Sequence, residues 1–310
     1  MVSPTSKARG ISDLEATVIE IINSNIITRK SSEIFDRTGE IPLTSTPETI
    51  EIANAFLRAK GINATQYDET DNEITKWDIY WAREMAAAML QRHHLGGTYG
   101  RYLPGRFLHY ELLSNNICSL FSSEKENGNK KEILELGCGA ALSLILSVRR
   151  GVHPTGLDSS VMALDFAGYL AKNHYHVLDN IKLVHGDYFH TEFEDNSFDV
   201  VYNSGVLEHY GLEQQIELIR EMKRITKREG YIVITVPNEQ SPFYSRYSER
   251  QRSVKEKHPN LLLNPVDDRR YKVDGINLME AEGLRFVKED GILIAPSSPI
   301  KPGDISREDL

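Results

Sequence analysis

The sequence predicts a doubly wound α/β fold preceded by a helical region, and three observations predict it. Residues 132–139, Glu-Ile-Leu-Glu-Leu-Gly-Cys-Gly, read as a short buried strand that breaks into a glycine turn, and an amphipathic segment from Ala140 to Arg150 follows. After Lys131, short apolar runs alternate with helical stretches, the pattern of a parallel sheet with right-handed crossovers and helices on both faces. Before Lys131 the apolar residues recur at helical spacing instead.

Taken in order, the helices of the first region begin at Ser12–Glu15, a capping-box pair, with Leu14, Val18 and Ile22 on one face. Pro47 starts a second helix, which carries Ile50, Ala53 and Leu57 and stops at Gly61. A third runs from about Ile74 to His94 with Trp77, Trp81, Met85, Ala88 and Met89 recurring along it, and a fourth covers about Phe107 to Phe121. The polar stretch Ser122–Lys131 is the expected domain boundary. Residues 1–130 are read as a helical N-terminal region that caps the active site, and residues 131–310 as the α/β domain.

Strands are expected at Ile133–Leu136, Pro154–Leu157, Ile181–Val184, Phe198–Tyr202 and Tyr231–Val236, with the clearest helix at Leu212–Lys227. Arg285–Val287 and Ile292–Ala295 flank Asp290-Gly291, a turn dipeptide, and are read as a C-terminal antiparallel hairpin. The hairpin brings the expected sheet to seven strands, most of them parallel.

Composition narrows the function. The 310 residues carry a net charge of -9, which disfavours sequence-independent nucleic-acid binding, since that rests on lysine and arginine meeting phosphates. Two cysteines, one inside the glycine turn, predict no disulfide scaffold and a reducing, cytoplasmic setting. The first residues have no apolar core of a secretory signal, and the longest apolar stretch is too short to span a bilayer.

In open parallel sheets, ligands bind beyond the carboxyl ends of the strands. Here those ends carry Glu135, Gly137, Cys138 and Gly139 on the first strand, then Asp158 followed by Ser159. The third ends in Asp187-Tyr188, and the fourth in Asn203-Ser204. Asp158 stands 21 residues after Gly137, the spacing at which an acid accepts hydrogen bonds from both hydroxyls of a ribose. It also stands where a helix N-cap is expected. An acid at position 187 is placed to accept the amino group of adenine; a plain turn residue is the alternative. A dinucleotide site would want a glycine at position 142, where Leu142 stands. One adenosine with a short zwitterionic tail fits better.

Residues 131–238 resemble the core of the class I S-adenosylmethionine-dependent methyltransferases. The resemblance rests on Leu134-Glu135-Leu136-Gly137-Cys138-Gly139, on Gly156-Leu157-Asp158-Ser159-Ser160, on Gly186-Asp187, and on Asp195 to Val201 before and along the fourth strand. It implies that the backbone at 137–139 faces the methionine part of S-adenosylmethionine, Asp158 the ribose, and Asp187 with the Tyr188 amide the adenine. It implies too that Asn203 and Ser204 border the methionine end. Part of the family holds a divalent metal with Glu-x-x-Glu-His; here Glu208-His209 match its end, but Gly205 stands at the first glutamate, so no metal is expected. A third glycine is frequent in the family where Ala141 stands.

The resulting expectation is methyl transfer to a small-molecule acceptor by in-line displacement, with His209 as the base. A protein or RNA substrate, recognised by the N-terminal helices, is the alternative within the enzyme class. A non-catalytic scaffold is the alternative outside it, and the acids at 135, 158 and 187 speak against a decayed site.

Overall fold

A computed structural model of the protein describes residues 47–63, 73–95, 104–121, 130–238 and 273–289, with single positions 249, 253 and 256. The chain divides into two compact units, residues 1–106, 240–265 and 296–310, and residues 107–239 and 266–295.

In the first unit, helix α1 (Pro47–Ala59) packs against α2 (Glu73–Leu95). Pro47 opens α1 because its missing N–H would be unpaired there in any case. Helix α1 buries Ile52, Ala53, Phe56 and Leu57, and α2 buries Ile79, Ala82, Met85 and Met89. The tryptophans of α2 are half-buried and flank Tyr80, with edge-to-face ring separations of 5.8 Å for Trp77 and 5.0 Å for Trp81. The helix expected after Ser12 lies outside the described residues.

The second unit holds a five-stranded parallel sheet in the order β3-β2-β1-β4-β5. Its strands are β1 (Glu132–Leu136), β2 (His153–Asp158), β3 (Lys182–His185), β4 (Phe198–Ser204) and β5 (Thr226–Thr235). Helices α3 (Pro104–Ser119), α4 (Leu142–Ser147), α5 (Val161–Asn173), α6 (Leu212–Ile225) and α7 (Gly275–Ala281) surround it. Alternation along β1 and β4 sends Ile133, Val200 and Tyr202 to one face, where they join Leu113 and Ile117 of α3, Leu144 of α4 and Ala167 of α5. Leu134, Leu136 and Val201 go to the other, against Leu218, Ile219, Met222 and Ile225 of α6. The expected crossovers on both faces are therefore present.

Helix α3 packs with the sheet although it precedes the polar stretch at 122–131. Arg150 fastens it, donating to Glu111 Oε1 and Asn115 Oδ1 at 2.5 Å each. Strand β5 begins five residues before its expected start, because its pairing with β4 is interrupted between Phe198 and Val200. Gly230 sits in that irregularity, where an added Cβ would stand 2.7 Å from the Asp199 carbonyl oxygen. Arg285–Val287 adopts no strand among the described residues, and its expected hairpin partner, Ile292–Ala295, lies outside them. No helix among the described residues is long and apolar enough to cross a membrane.

Candidate functional site

The site is built from the turn after β1. Gly137 and Gly139 adopt φ of 70° and 51°, conformations that side chains resist. At Gly137 there is no room for one either: an added Cβ would stand 2.6 Å from Val206 Cγ2. The turn is fastened to β2, since the amides of Gly137 and Cys138 both donate to the Leu157 carbonyl, at 2.8 and 3.1 Å. Ala141 follows in the left-handed region with φ 52° and ψ 29°.

Asp158 ends β2 and is buried, 7% exposed. Its Oδ2 accepts from the Gly139 amide and its Oδ1 from the Ser160 amide, both at 2.8 Å. The cap of α5 is Ser160, whose hydroxyl accepts from Ala163 N at 3.1 Å, so Asp158 itself braces the turn.

Glu135, the last-but-one residue of β1, is 3% exposed. Ser143 Oγ donates to its Oε2 at 2.6 Å and the Tyr202 hydroxyl donates to the same oxygen at 3.1 Å. Burial pushes the Glu135 carboxyl up to about 8; the two hydroxyls oppose that shift and the charge of Asp158 adds to it. Burial likewise raises the Cys138 thiol, helped by the charges of Asp158 and Glu135. A thiol kept protonated is no nucleophile.

The remaining strand ends differ from one another. Asp187 is exposed, and its Oδ1 accepts from the Phe189 amide at 2.8 Å, an Asx turn; its Oδ2 lies 3.7 Å from His190 Nδ1. Tyr188 is buried, with its hydroxyl bonded to that of Tyr210. Desolvation is the main reason its phenol is pushed above the usual range, with Tyr210 second. Ser159 is half-buried beside it, and its carbonyl faces His185 Nε2 at 3.0 Å.

At the end of β4, Asn203 is fully buried. Its Nδ2 donates to Met222 Sδ at 3.4 Å, while Oδ1 has no partner. Ser204 is half-buried, and Gly205 turns the chain with φ 73° into a 3₁₀ turn, Leu207–His209. Glu208 is buried and His209 half-buried, its amide donating to Val206 O at 3.1 Å. Val206, at the start of that loop, packs on Gly137, so the ends of β1 and β4 meet. Gly205 supplies no carboxylate beside Glu208 and His209, and no cluster of metal-ligating residues occurs among the described residues.

The glycine turn, Glu135, Asp158 and Tyr188 thus act on one another, while Asp187 faces solvent. Ser143 and Tyr202 belong with Glu135 and escaped sequence reasoning. Two signals point to them. Ser143 is the lone polar residue between Ala140 and Leu146, and Tyr202 is the register partner of Glu135 on the adjacent strand.

A family model described as a methyltransferase domain matches residues 134–234. An uncharacterized protein of Methanocaldococcus jannaschii is 24% identical over 202 residues, which are 61% of this chain and 77% of that protein. Demethylmenaquinone methyltransferase of Staphylococcus haemolyticus is 37% identical over 103 residues, 32% of this chain and 41% of the relative. The chain therefore matches less than half the length of that enzyme. Among solved structures, the YcgJ protein of Bacillus subtilis superposes with a TM-score of 0.40 at 17% identity, over 56% of this chain and 66% of that one. With the match spanning β1 to β5, residues 134–234 are similar to a methyltransferase domain, in keeping with the glycine turn and the strand-end acids.

Proposed function

We propose that the protein transfers a methyl group from S-adenosylmethionine to a small-molecule acceptor. The observation that carries this reading is the buried Asp158 carboxylate at the mouth of the glycine turn, held at the end of β2 by the Gly139 and Ser160 amides. The residues fit the cofactor in one further respect: Asn203 keeps a buried oxygen without a partner. Such an atom is destabilising unless a ligand or water meets it.

Asp158 would hold the ribose hydroxyls, with Ser159 beside it. The amides and close-packed backbone of Gly137, Cys138 and Gly139 would border the methionine part, with Glu135 below and Asn203 and Ser204 across from it. Tyr188 would line the adenine through its amide. Asp187 would serve the adenine amino group through Oδ2 while its Oδ1 holds the Asx turn. When bound, S-adenosylmethionine supplies a methyl group activated by the positive sulfur, ready for in-line displacement. The chain's own part is to align the acceptor, exclude water and take a proton where the acceptor carries one. His209 is the residue for that last step. Tyr210 is a poorer one, because its hydroxyl is engaged by Tyr188.

The small-molecule acceptor is the reading favoured over nucleic acid by the net charge of -9. A seven-stranded sheet completed by the C-terminal hairpin, and an N-terminal cap, rest on the sequence alone. Ligand-dependent protection of residues 96–105 and 122–131 from proteolysis would test the cap. For the activity, S-adenosylhomocysteine should bind in calorimetry, and labelled methyl should pass from S-adenosylmethionine to a component of a metabolite extract. Transfer should survive a strong chelator, and His209→Ala should lower turnover by about 10²–10⁴-fold with cofactor affinity nearly unchanged. Absence of binding removes the reading in favour of a scaffold. Loss of activity on chelation, restored by magnesium or zinc, removes its metal-free part.

A further inference from the structure

The turn that carries His209 is held at both of its ends. At its start Val206 packs on Gly137, where an added Cβ would come within 2.6 Å of it. At its end Tyr210 is gripped in three ways. Its hydroxyl is bonded to that of Tyr188, in the loop after β3. Its ring meets Phe189 edge to face at 4.9 Å and Tyr188 at 6.0 Å. Its carbonyl accepts from Gln215 Nε2 of α6 at 2.8 Å. The amides of His209 and Tyr210 close the turn on Val206 O and Leu207 O, at 3.1 and 3.2 Å.

Packing accounts for the ring contacts, but the hydroxyl pair needs its own explanation. Both phenols are buried. Phenylalanines at both positions would keep the ring contacts with no polar atom to satisfy. Two tyrosines that spend their hydroxyls on one another add direction rather than burial. A hydrogen bond fixes distance and angle, where apolar contact tolerates sliding. Ser159 is a further hydrogen-bond partner of Tyr188. The hydroxyls therefore run from the end of β2, by way of the loop after β3, to the residue next to His209. Desolvation, and then Tyr210, keep the Tyr188 phenol protonated well beyond neutrality, so the pair is a fixed bond and not a proton store.

We propose that Tyr188 and Tyr210 are positioning residues that act through His209. Their hydroxyl bond ties the adenine side of the site to the turn and fixes His209 for removal of a proton from the acceptor. The inference rests on the cofactor and base readings above. Neither phenol takes the proton itself. A purely structural bond would hold the two loops together and leave proton removal unaffected wherever the fold survives.

The test follows labelled methyl from saturating S-adenosylmethionine into a metabolite extract, beside S-adenosylhomocysteine calorimetry and denaturant melts. Tyr188→Phe and Tyr210→Phe should each slow transfer roughly 10- to 100-fold, with S-adenosylhomocysteine affinity nearly unchanged. Each also takes a partner from a buried hydroxyl and should lower stability. The double variant removes both hydroxyls. Its stability should return toward wild type, while transfer stays as slow as in either single variant. It decides the matter if a single variant fails to fold. In a His209→Ala background, Tyr210→Phe should slow transfer no further. Transfer that recovers with stability in the double variant marks a structural bond and overturns the proposal. A loss confined to Tyr210→Phe, or one that adds to that of His209→Ala, overturns it too. Each of these results leaves the cofactor reading intact. Normal transfer by His209→Ala removes the base reading and the proposal with it, and no transfer by the wild type removes all three.

Discussion

The two rims of the sheet handle charge in opposite ways. At the amino ends of the strands, Asp199 accepts from the Glu132 amide at 2.9 Å and from Lys227 Nζ at 2.7 Å, with Lys131 Nζ 3.6 Å away. Burial works against its ionisation, but Lys227, the Glu132 amide and Lys131 outweigh it, and the carboxyl titrates below its ordinary range. At the carboxyl ends, Glu135 is buried with hydroxyls and another acid for company and titrates far above it. One rim matches each charge with an opposite one and so supports folding. The other leaves polar capacity unmatched at Asn203 Oδ1, which weakens the fold and suits a ligand.

Substitution of Asp158 tests that division most severely. Asp158→Ala should weaken S-adenosylhomocysteine binding by about 1.5–3 kcal/mol through loss of a charged acceptor. It should also destabilise the fold by about 1–3 kcal/mol, because the Gly139 and Ser160 amides lose their partner. Position alone, at a strand end, suggests a larger effect on binding than on folding; the two backbone bonds make the effects comparable. Calorimetry and denaturant melts read the two separately. Unchanged affinity in a folded variant would detach the ribose from Asp158.

Opposite pH dependences are the next expectation. Asp199 has a depressed value in the folded state, so its contribution is present above the unfolded value near 4 and is lost as pH falls through the folded one. Asp199→Asn should lower stability by about 1 kcal/mol at pH 7, less in high salt, and by less still at pH 3, with cofactor affinity untouched. Glu135 runs the other way. Its folded value is raised, so the folded state holds a proton that the unfolded state gives up, and stability declines between about 4.5 and about 8. Glu135→Gln should flatten that decline and raise the melting temperature at pH 8 relative to wild type. Parallel melting curves for Asp199→Asn, Glu135→Gln and wild type across pH 3 to 9 would erase the distinction between the rims.

Much of this was legible in the sequence where the signal is local. The glycine turn, the apolar strands and α6 announce themselves through period and turn chemistry within a dozen residues. What escaped depends on contacts distant along the chain. The first half of β5, Thr226 to Gly230, is polar and reads as a loop; its pairing is set by β4. The Glu135–Ser143–Tyr202 network needs β1 and β4 in register and α4 laid over them, and no window of sequence contains all three. Asp187 shows that one side chain can serve two readings. Its position after a strand marks it as a ligand residue, and its Oδ1 also closes a local Asx turn.

The smallest effect concerns the strain stored in the ligand rim. Ala141 is left-handed, 1% exposed, and its amide donates to Cys138 O at 2.8 Å. A glycine there would relieve about 1–2 kcal/mol of backbone strain. It would also forfeit about 0.8 kcal/mol of buried methyl and about 0.4–1 kcal/mol through the freer unfolded chain. The terms nearly cancel, so Ala141→Gly by itself should change stability little. Its neighbour provides the reference. Ala140 is also buried, at 5% exposure, but is not among the residues with positive φ. Ala140→Gly carries the same two losses without the relief and should cost about 1–2 kcal/mol. The gap between the two substitutions therefore measures the strain at position 141 directly. A gap near zero in denaturant melts would mean that Ala141 is unstrained, and that the turn tolerates its methyl as easily as any helical position does.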